Sequence, residues 1–241
     1  MDAEEKRGGD MKEWVEGLLP LERDLFFTLN GSESFFWDNV MWTISGRLIW
    51  IPFYLFILFL FFYRVPRKEG ILAALFLILV FVLCDQVSSS LFKPFFERFR
   101  PTHHPDFKDL VDTVNNYRGG RYGFISGHAT NSFGLAVFVS MVFKHRAVTA
   151  ITLLWALLNS YTRVYLGVHF VSDIVAGMVV GSLVALLVYE AYSWARARVV
   201  HPSPVQTRSP YTKYGALFAI TLVVYLAVIT IFSSLLATLP H

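Results

Sequence analysis

The 241-residue chain holds one cysteine, Cys84, so no intrachain disulfide contributes to its fold. It also lacks a charge excess. Against 18 Asp and Glu stand 21 Lys and Arg, and the net +3 is too small to imply nucleic-acid binding. Internal repeats and low-complexity tracts are absent, and the polar first residues are expected to hold no secretory signal. The one linker-like stretch is 201–210 (HPSPVQTRSP).

Apolar residues are plentiful, at 55%, yet the mean hydropathy of +0.50 is only slightly above a soluble average. Their arrangement decides the class, because crossing a bilayer takes about 20 apolar residues in a row. Runs of this kind occupy 48–63 (extending upstream to Met41), 71–92, 129–143, 147–162, 171–194 and 214–239. The third and fourth are short and gain length from the polar residues beside them. The expected fold is therefore all-α: a polytopic integral membrane protein with a six-helix transmembrane bundle over 41–241. The abundant Phe, Tyr and Trp fit lipid-facing bulk and interfacial belts, with no cofactor implied. Residues 1–40 form a polar and amphipathic segment. Within it Met11 to Asn30 is expected as an interfacial helix burying Trp14, Leu18, Leu19, Leu25 and Phe26.

Basic residues between the runs set the orientation. Arg64, Arg67 and Lys68, then Lys144 and Arg146, then Arg196, Arg198, Arg208 and Lys213 mark three alternating connections. By the positive-inside rule these lie in the cytoplasm. Connections 93–126 and 163–170 then face outward, together with Met1 and His241. The cations of the 93–126 loop run against this bias, but Asp106, Asp109 and Asp112 share that loop.

Three separated clusters stand where hydrophobic runs end, all on that outward side. They are Lys93 with Arg100-Pro101, then Ser126-Gly127-His128, then Arg163 with His169 and Asp173. Together they supply the parts for passing a phosphoryl group through a histidine without a metal. His169 and Asp173, four apart, would stack on one face of a helix. The carboxylate there accepts one imidazole N–H and aims the other nitrogen outward as a nucleophile. Lys93, Arg100 and Arg163 offset the charge of a phosphate, arginine through its planar fork. Ser126-Gly127 opens a helix whose first amides face an anion, and glycine permits close approach. His128 is then left to protonate the departing oxygen.

In order and spacing these clusters resemble the type 2 phosphatidic acid phosphatases, also called lipid phosphate phosphatases. The family pattern is Lys, six residues, Arg-Pro; Pro-Ser-Gly-His; then Ser-Arg, five residues, His, three residues, Asp. Ile125 stands here for the proline and Thr162 for the serine. The resemblance covers roughly 71–190. It implies catalytic His169, His128 and Asp173, and phosphate-binding Lys93, Arg100, Ser126, Gly127 and Arg163, with no metal and no cofactor. The implied partners are the bilayer and a phosphorylated lipid: undecaprenyl diphosphate, lipid A, phosphatidylglycerophosphate or phosphatidate. A compact chain of this kind suits a bacterial inner membrane with the site on the outer face. A lipid phosphotransferase of the same fold and a non-catalytic lipid carrier stay open as alternatives, as does the oligomeric state.

Other polar residues fit the lipid reading less directly. His103-His104 with Asp106 lack the spacing of a metal site. Asp85 is expected to be satisfied by Gln86, Ser88 or a neighbouring helix. Arg118, Arg121 and Tyr122 are candidates for holding a headgroup, or else solvated loop residues, and Gly119-Gly120 marks a turn.

Overall fold

The computed structural model describes residues 3–200 and 209–239. Most of the expected linker 201–210, and both Met1 and His241, lie outside the described residues. Eleven α-helices follow in chain order among those described. Two short N-terminal helices, α1 (Ala3–Glu16) and α2 (Leu19–Leu29), precede α3 (Phe35–Ser45) and α4 (Ile51–Phe62). The long α5 (Arg67–Gln86) leads through a π turn at Val87–Phe92 into α6 (Lys93–Phe96). Helices α7 (Gly127–Phe143), α8 (Arg146–Tyr165), α9 (Val171–Val199), α10 (Gly215–Ile231) and α11 (Ser233–Leu236) complete the chain.

Among the described residues three helical stretches are long and apolar enough to cross a membrane: Arg67–Phe96, Val171–Val199 and Thr212–Ile231. Their outward faces are apolar, with Leu187 73% and Ile231 72% exposed, as a hydrocarbon solvent requires. The pair Phe35–Ser45 and Leu48–Phe62 passes the same test only as a unit bent by 69°. The expected continuous run from Met41 is thus broken at Gly46, where the backbone leaves the helix at φ −65°, ψ 145°. Helix α7 has 17 residues, while α8 has 20 and carries Arg163 in its last turn.

Helices α7 and α9 form the centre, with α5 and α8 packed on α7. Small residues make this close approach work. A Cβ on Gly177 would stand 2.8 Å from the Ser126 carbonyl oxygen, and one on Gly134 2.6 Å from Cys84 Sγ. Gly177 and Gly181 form a Gly-x-x-x-Gly stripe on α9 that faces the backbone of α7. At the end away from the three clusters, the buried Glu69 on α5 takes Arg196 of α9 in a fork, with Nε 2.9 Å from Oε1 and Oε2.

The N-terminal helix differs from its expectation. It is divided at Gly17 and Leu18, with Pro20 in the first turn of α2. The residues turned into the protein are Val15, Glu22 and Phe26, whereas Trp14 and Leu25 are exposed. Phe26 packs edge-on against Phe170 at 5.4 Å, so this face is buried by protein.

Candidate active site

The three clusters meet at one cavity of about 530 Å³. Lys93, Arg100, Gly127, His128, Arg163 and His169 all line it. Each arrives by a local device that the sequence dictates.

His169 is placed by the end of α8. Gly167 takes a left-handed conformation (φ 71°), and Val168 N–H donates 3.0 Å to the Arg163 carbonyl while Gly167 N–H donates to Val164. This is the Schellman stop, in which glycine ends the helix and satisfies its last carbonyls. The chain folds back so that His169 N–H also donates to Arg163 O, at 3.2 Å. His169 therefore precedes α9 and does not lie on it, a correction to the helical-face expectation. The pairing with Asp173 survives by another route. Asp173 is the third residue of α9, and its Oδ2 accepts from the Phe170 N–H at 3.0 Å as a helix-start cap. The same oxygen lies 3.3 Å from His169 Nδ1, so Nδ1 carries the hydrogen and Nε2 keeps a free lone pair. Burial, reinforced by Arg100, Arg163 and Lys93, holds the imidazole well below its ordinary pKa. His169 is neutral at neutral pH, the form a nucleophile needs.

Gly123 makes room for this pair. A Cβ there would be 3.0 Å from Asp173 Oδ2 and 3.5 Å from His169 Nδ1.

The cations come from three directions. Lys93 follows the π turn that precedes Pro94, whose missing N–H breaks the regular ladder, and its Nζ lies 3.4 Å from Ser89 Oγ. Arg100 Nε donates to the Tyr122 carbonyl at 3.0 Å. Burial, then the Arg163 guanidinium, pushes Arg100 down to about 10, still cationic at neutral pH. Arg163 donates to Ser45 Oγ and to Tyr117 Oη. Burial alone would raise the Tyr117 hydroxyl, but Arg163 brings it below its ordinary value.

The second cluster opens α7 as expected. Ser126 is the cap, its Oγ accepting from the Ala129 N–H at 3.4 Å. It is fully buried and stays off the cavity wall, so its hydroxyl serves the helix and Gly127 and His128 face the space. The first amides of a helix have no acceptor within it, which suits an anion at this position. His128 Nε2 lies 3.3 Å from the Ser45 backbone oxygen, which only accepts, so Nδ1 is the nitrogen free to exchange a proton. That carbonyl is available because α3 ends at Ser45.

Several residues of this site escaped the sequence reading. Ser45 and Arg47 come from the break between α3 and α4, and Arg47 adds a fourth cation to the cavity wall. Tyr117 and Gly167 belong to the site too; the glycine, five residues after the end of the apolar run 147–162, is a readable helix-stop signal. Asp85, expected to be paired within the bundle, is exposed on the cavity wall, and Ser88 Oγ reaches only its backbone oxygen. Among the described residues no three His, Cys, Asp or Glu side chains converge. His104 instead stacks on Phe107 at 4.1 Å, and His103 Nδ1 meets Thr102 Oγ1 at 3.2 Å. Arg118 is tied to the Thr102 carbonyl and Arg121 lies over Phe99, so both hold the loop together.

The chain is similar to known proteins. The model of the PAP2 superfamily matches residues 70–197. The chain is 45% identical over 199 residues to a lipid A 4'-phosphatase of Porphyromonas gingivalis, covering 79% of this chain and 84% of that one. It is 36% identical to a lipid A 4'-phosphatase of Bacteroides thetaiotaomicron, covering 91% and 98%. In fold it resembles the crystal structure of a transmembrane PAP2-type phosphatidylglycerolphosphate phosphatase from Bacillus subtilis. That match has a TM-score of 0.57 at 24% identity and covers 74% of this chain and 87% of that one. A superfamily match over more than half the chain, with near-full-length relatives on either side of it, leaves one assignment: this chain belongs to the PAP2 superfamily.

Proposed function

We propose that this membrane lipid phosphatase removes a phosphate monoester from lipid A or a closely related glycolipid. The observation that carries the chemistry is one cavity holding an Asp173-backed neutral imidazole and a set of cations. The two lipid A phosphatases among its relatives support the substrate. His169 Nε2 attacks phosphorus, forming an N–P bond as the P–O bond to the lipid breaks. His128 gives its proton to the leaving oxygen. Water, deprotonated by His128, then attacks the phosphohistidine, the N–P bond breaks and inorganic phosphate leaves. Lys93, Arg100 and Arg163 stabilise the charge spread over the equatorial oxygens, with the Gly127 and His128 amides adding to them. Asp173 stays ionised and orients the nucleophile.

Phosphate release from a panel of purified lipids tests this reading. Lipid A is expected to be hydrolysed fastest, with undecaprenyl diphosphate, phosphatidylglycerophosphate and phosphatidate slower, and chelator without effect. Label passing from lipid A to a second lipid instead of to water would favour the phosphotransferase. Absence of any turnover would favour a carrier.

The placement we infer is a bacterial inner membrane, crossed six times, with the site on the periplasmic face and the exposed apolar side of α1 and α2 in the interface. The basic connections support it, as does the meeting of Lys93, His128, Arg163 and His169 at adjoining ends of α6, α7 and α8. In a Cys84→Ala background, Leu110→Cys is expected to react with an impermeant maleimide on intact cells. Pro66→Cys should react only after permeabilisation. The opposite result would move the chemistry to the inner leaflet.

A further inference from the structure

Behind His169 lies a buried charge chain whose far end, Glu22, stands outside the family match, which begins at residue 70. Arg98 is 1% exposed and sits between two carboxylates. Its Nη1 donates 2.8 Å to Asp173 Oδ1 and 2.6 Å to Ser172 Oγ, and its Nη2 donates 2.7 Å to Glu22 Oε1. Glu22, 7% exposed on α2, also accepts from the Ser172 N–H and hydroxyl, both at 2.7 Å. The guanidinium lies over the Phe170 ring at 4.6 Å. Glu22 thus holds the first turn of α9 at two points and one face of Arg98, while Asp173 holds the other and reaches His169 with its second oxygen.

We propose that Glu22 is a positioning residue for the His169–Asp173 pair, which makes α2 a component of the active site and more than a membrane-surface element. Three points carry it. First, a cation buried between two carboxylates is shared, so Glu22 limits how strongly Arg98 draws on Asp173. Losing the Glu22 charge leaves Arg98 to Asp173 alone, and the carboxylate becomes a weaker acceptor for His169 Nδ1–H. Second, Ser172 lies between the two members of the pair, and Glu22 is its acceptor for both N–H and O–H, so the spacing of the pair depends on α2. Third, the rest of the N-terminal segment clasps the same loops. Val15 packs with Phe124 and Ile125, and Asn30 Nδ2 donates to the Tyr165 carbonyl at 2.9 Å. The charged and titratable groups around His169 are Lys93, Arg98, Arg100, Arg163, His128 and Asp173, a net cationic set that Glu22 partly offsets.

The inference rests on His169 as nucleophile, and the experiment separates the two. Full-length wild type, Glu22→Gln and Glu22→Asp are purified in detergent. Each is mixed with radiolabelled lipid A and quenched at alkaline pH to trap acid-labile phosphohistidine. Glu22→Gln is expected to reach the same number of labelled sites per chain as wild type, but about ten- to a hundredfold more slowly, the scale of a slight misplacement of reacting groups. Its KM should change little, since every phosphate-facing cation remains. The acid limb of kcat/KM should move to lower pH, because a site with one fewer negative charge protonates His169 less readily. Glu22→Asp, which keeps the charge, should recover part of the rate. Wild-type labelling rate and an unmoved acid limb in Glu22→Gln would overturn the inference alone. Fewer labelled sites at an unchanged rate per site would reduce Glu22 to a folding role and overturn it as well. No label on wild type would overturn the nucleophile assignment and this inference with it.

Discussion

His169→Ala is expected to abolish turnover, with kcat falling by at least about a thousandfold, because the covalent route is lost and only electrostatic stabilisation of the phosphoryl group remains. The cations that meet phosphate are untouched by this change, so inorganic phosphate should still inhibit binding of substrate with near wild-type strength. Acid-labile label on wild type and none on the variant is the direct measurement. His128→Ala should behave differently, since it removes the proton donor and leaves the nucleophile. Label formation slows, and a substrate with a better leaving group recovers much of the loss. Near wild-type turnover in His169→Ala would sink the assignment and return the choice to a mechanism in which water attacks directly.

The second large effect lies in the packing of α7 against α9. A side chain on Gly181 would meet Thr130 backbone atoms, with Cα and C both at 2.9 Å from the new Cβ. Backbone cannot rotate away as a side chain can, so the two helices must separate. Overpacking typically costs about 1–3 kcal/mol, and Gly181→Val is placed at or above the upper end. The loss should also reach the chemistry, because α7 carries Gly127 and His128 while α9 carries Asp173, and Ser126 N–H donates to the Asp173 carbonyl at 3.1 Å. Thermal unfolding in detergent is expected to show a lowered midpoint, with activity per folded molecule reduced in parallel. Gly120→Ala, where a Cβ meets nothing within 4 Å, serves as the matched control and should change neither. An unshifted midpoint in Gly181→Val would show that the helices are not in this close register.

The reading of the sequence held best where a property is local or periodic. Apolar runs have no other solvent-compatible use at such length, so the helical membrane class followed from order along the chain. The fixed spacing of Lys93 and Arg100, of Ser126 and His128, and of Arg163, His169 and Asp173 carried the family and brought six of those seven to or beside one cavity. Ser126 alone turned inward, because a cap hydroxyl bonds its own helix.

What spacing could not convey was the means. A separation of four residues pointed to a shared helix face for His169 and Asp173, but Gly167 ends α8 between Arg163 and His169. The pair forms because a carboxylate at the third position of a helix turns back toward the residues before it. The break at Gly46, which frees the Ser45 carbonyl and brings in Arg47, falls on the polar step Ser45-Gly46-Arg47, but that step does not say which way the chain bends. Arg163 and Ser45 are 118 residues apart, and Arg98 and Glu22 are 76 apart. A single sequence records the period of each helix but not which faces meet. Burial of a charge such as Glu22 or Arg98 is affordable only once its counter-charge has been delivered from another helix, and that delivery is decided by the tertiary structure alone.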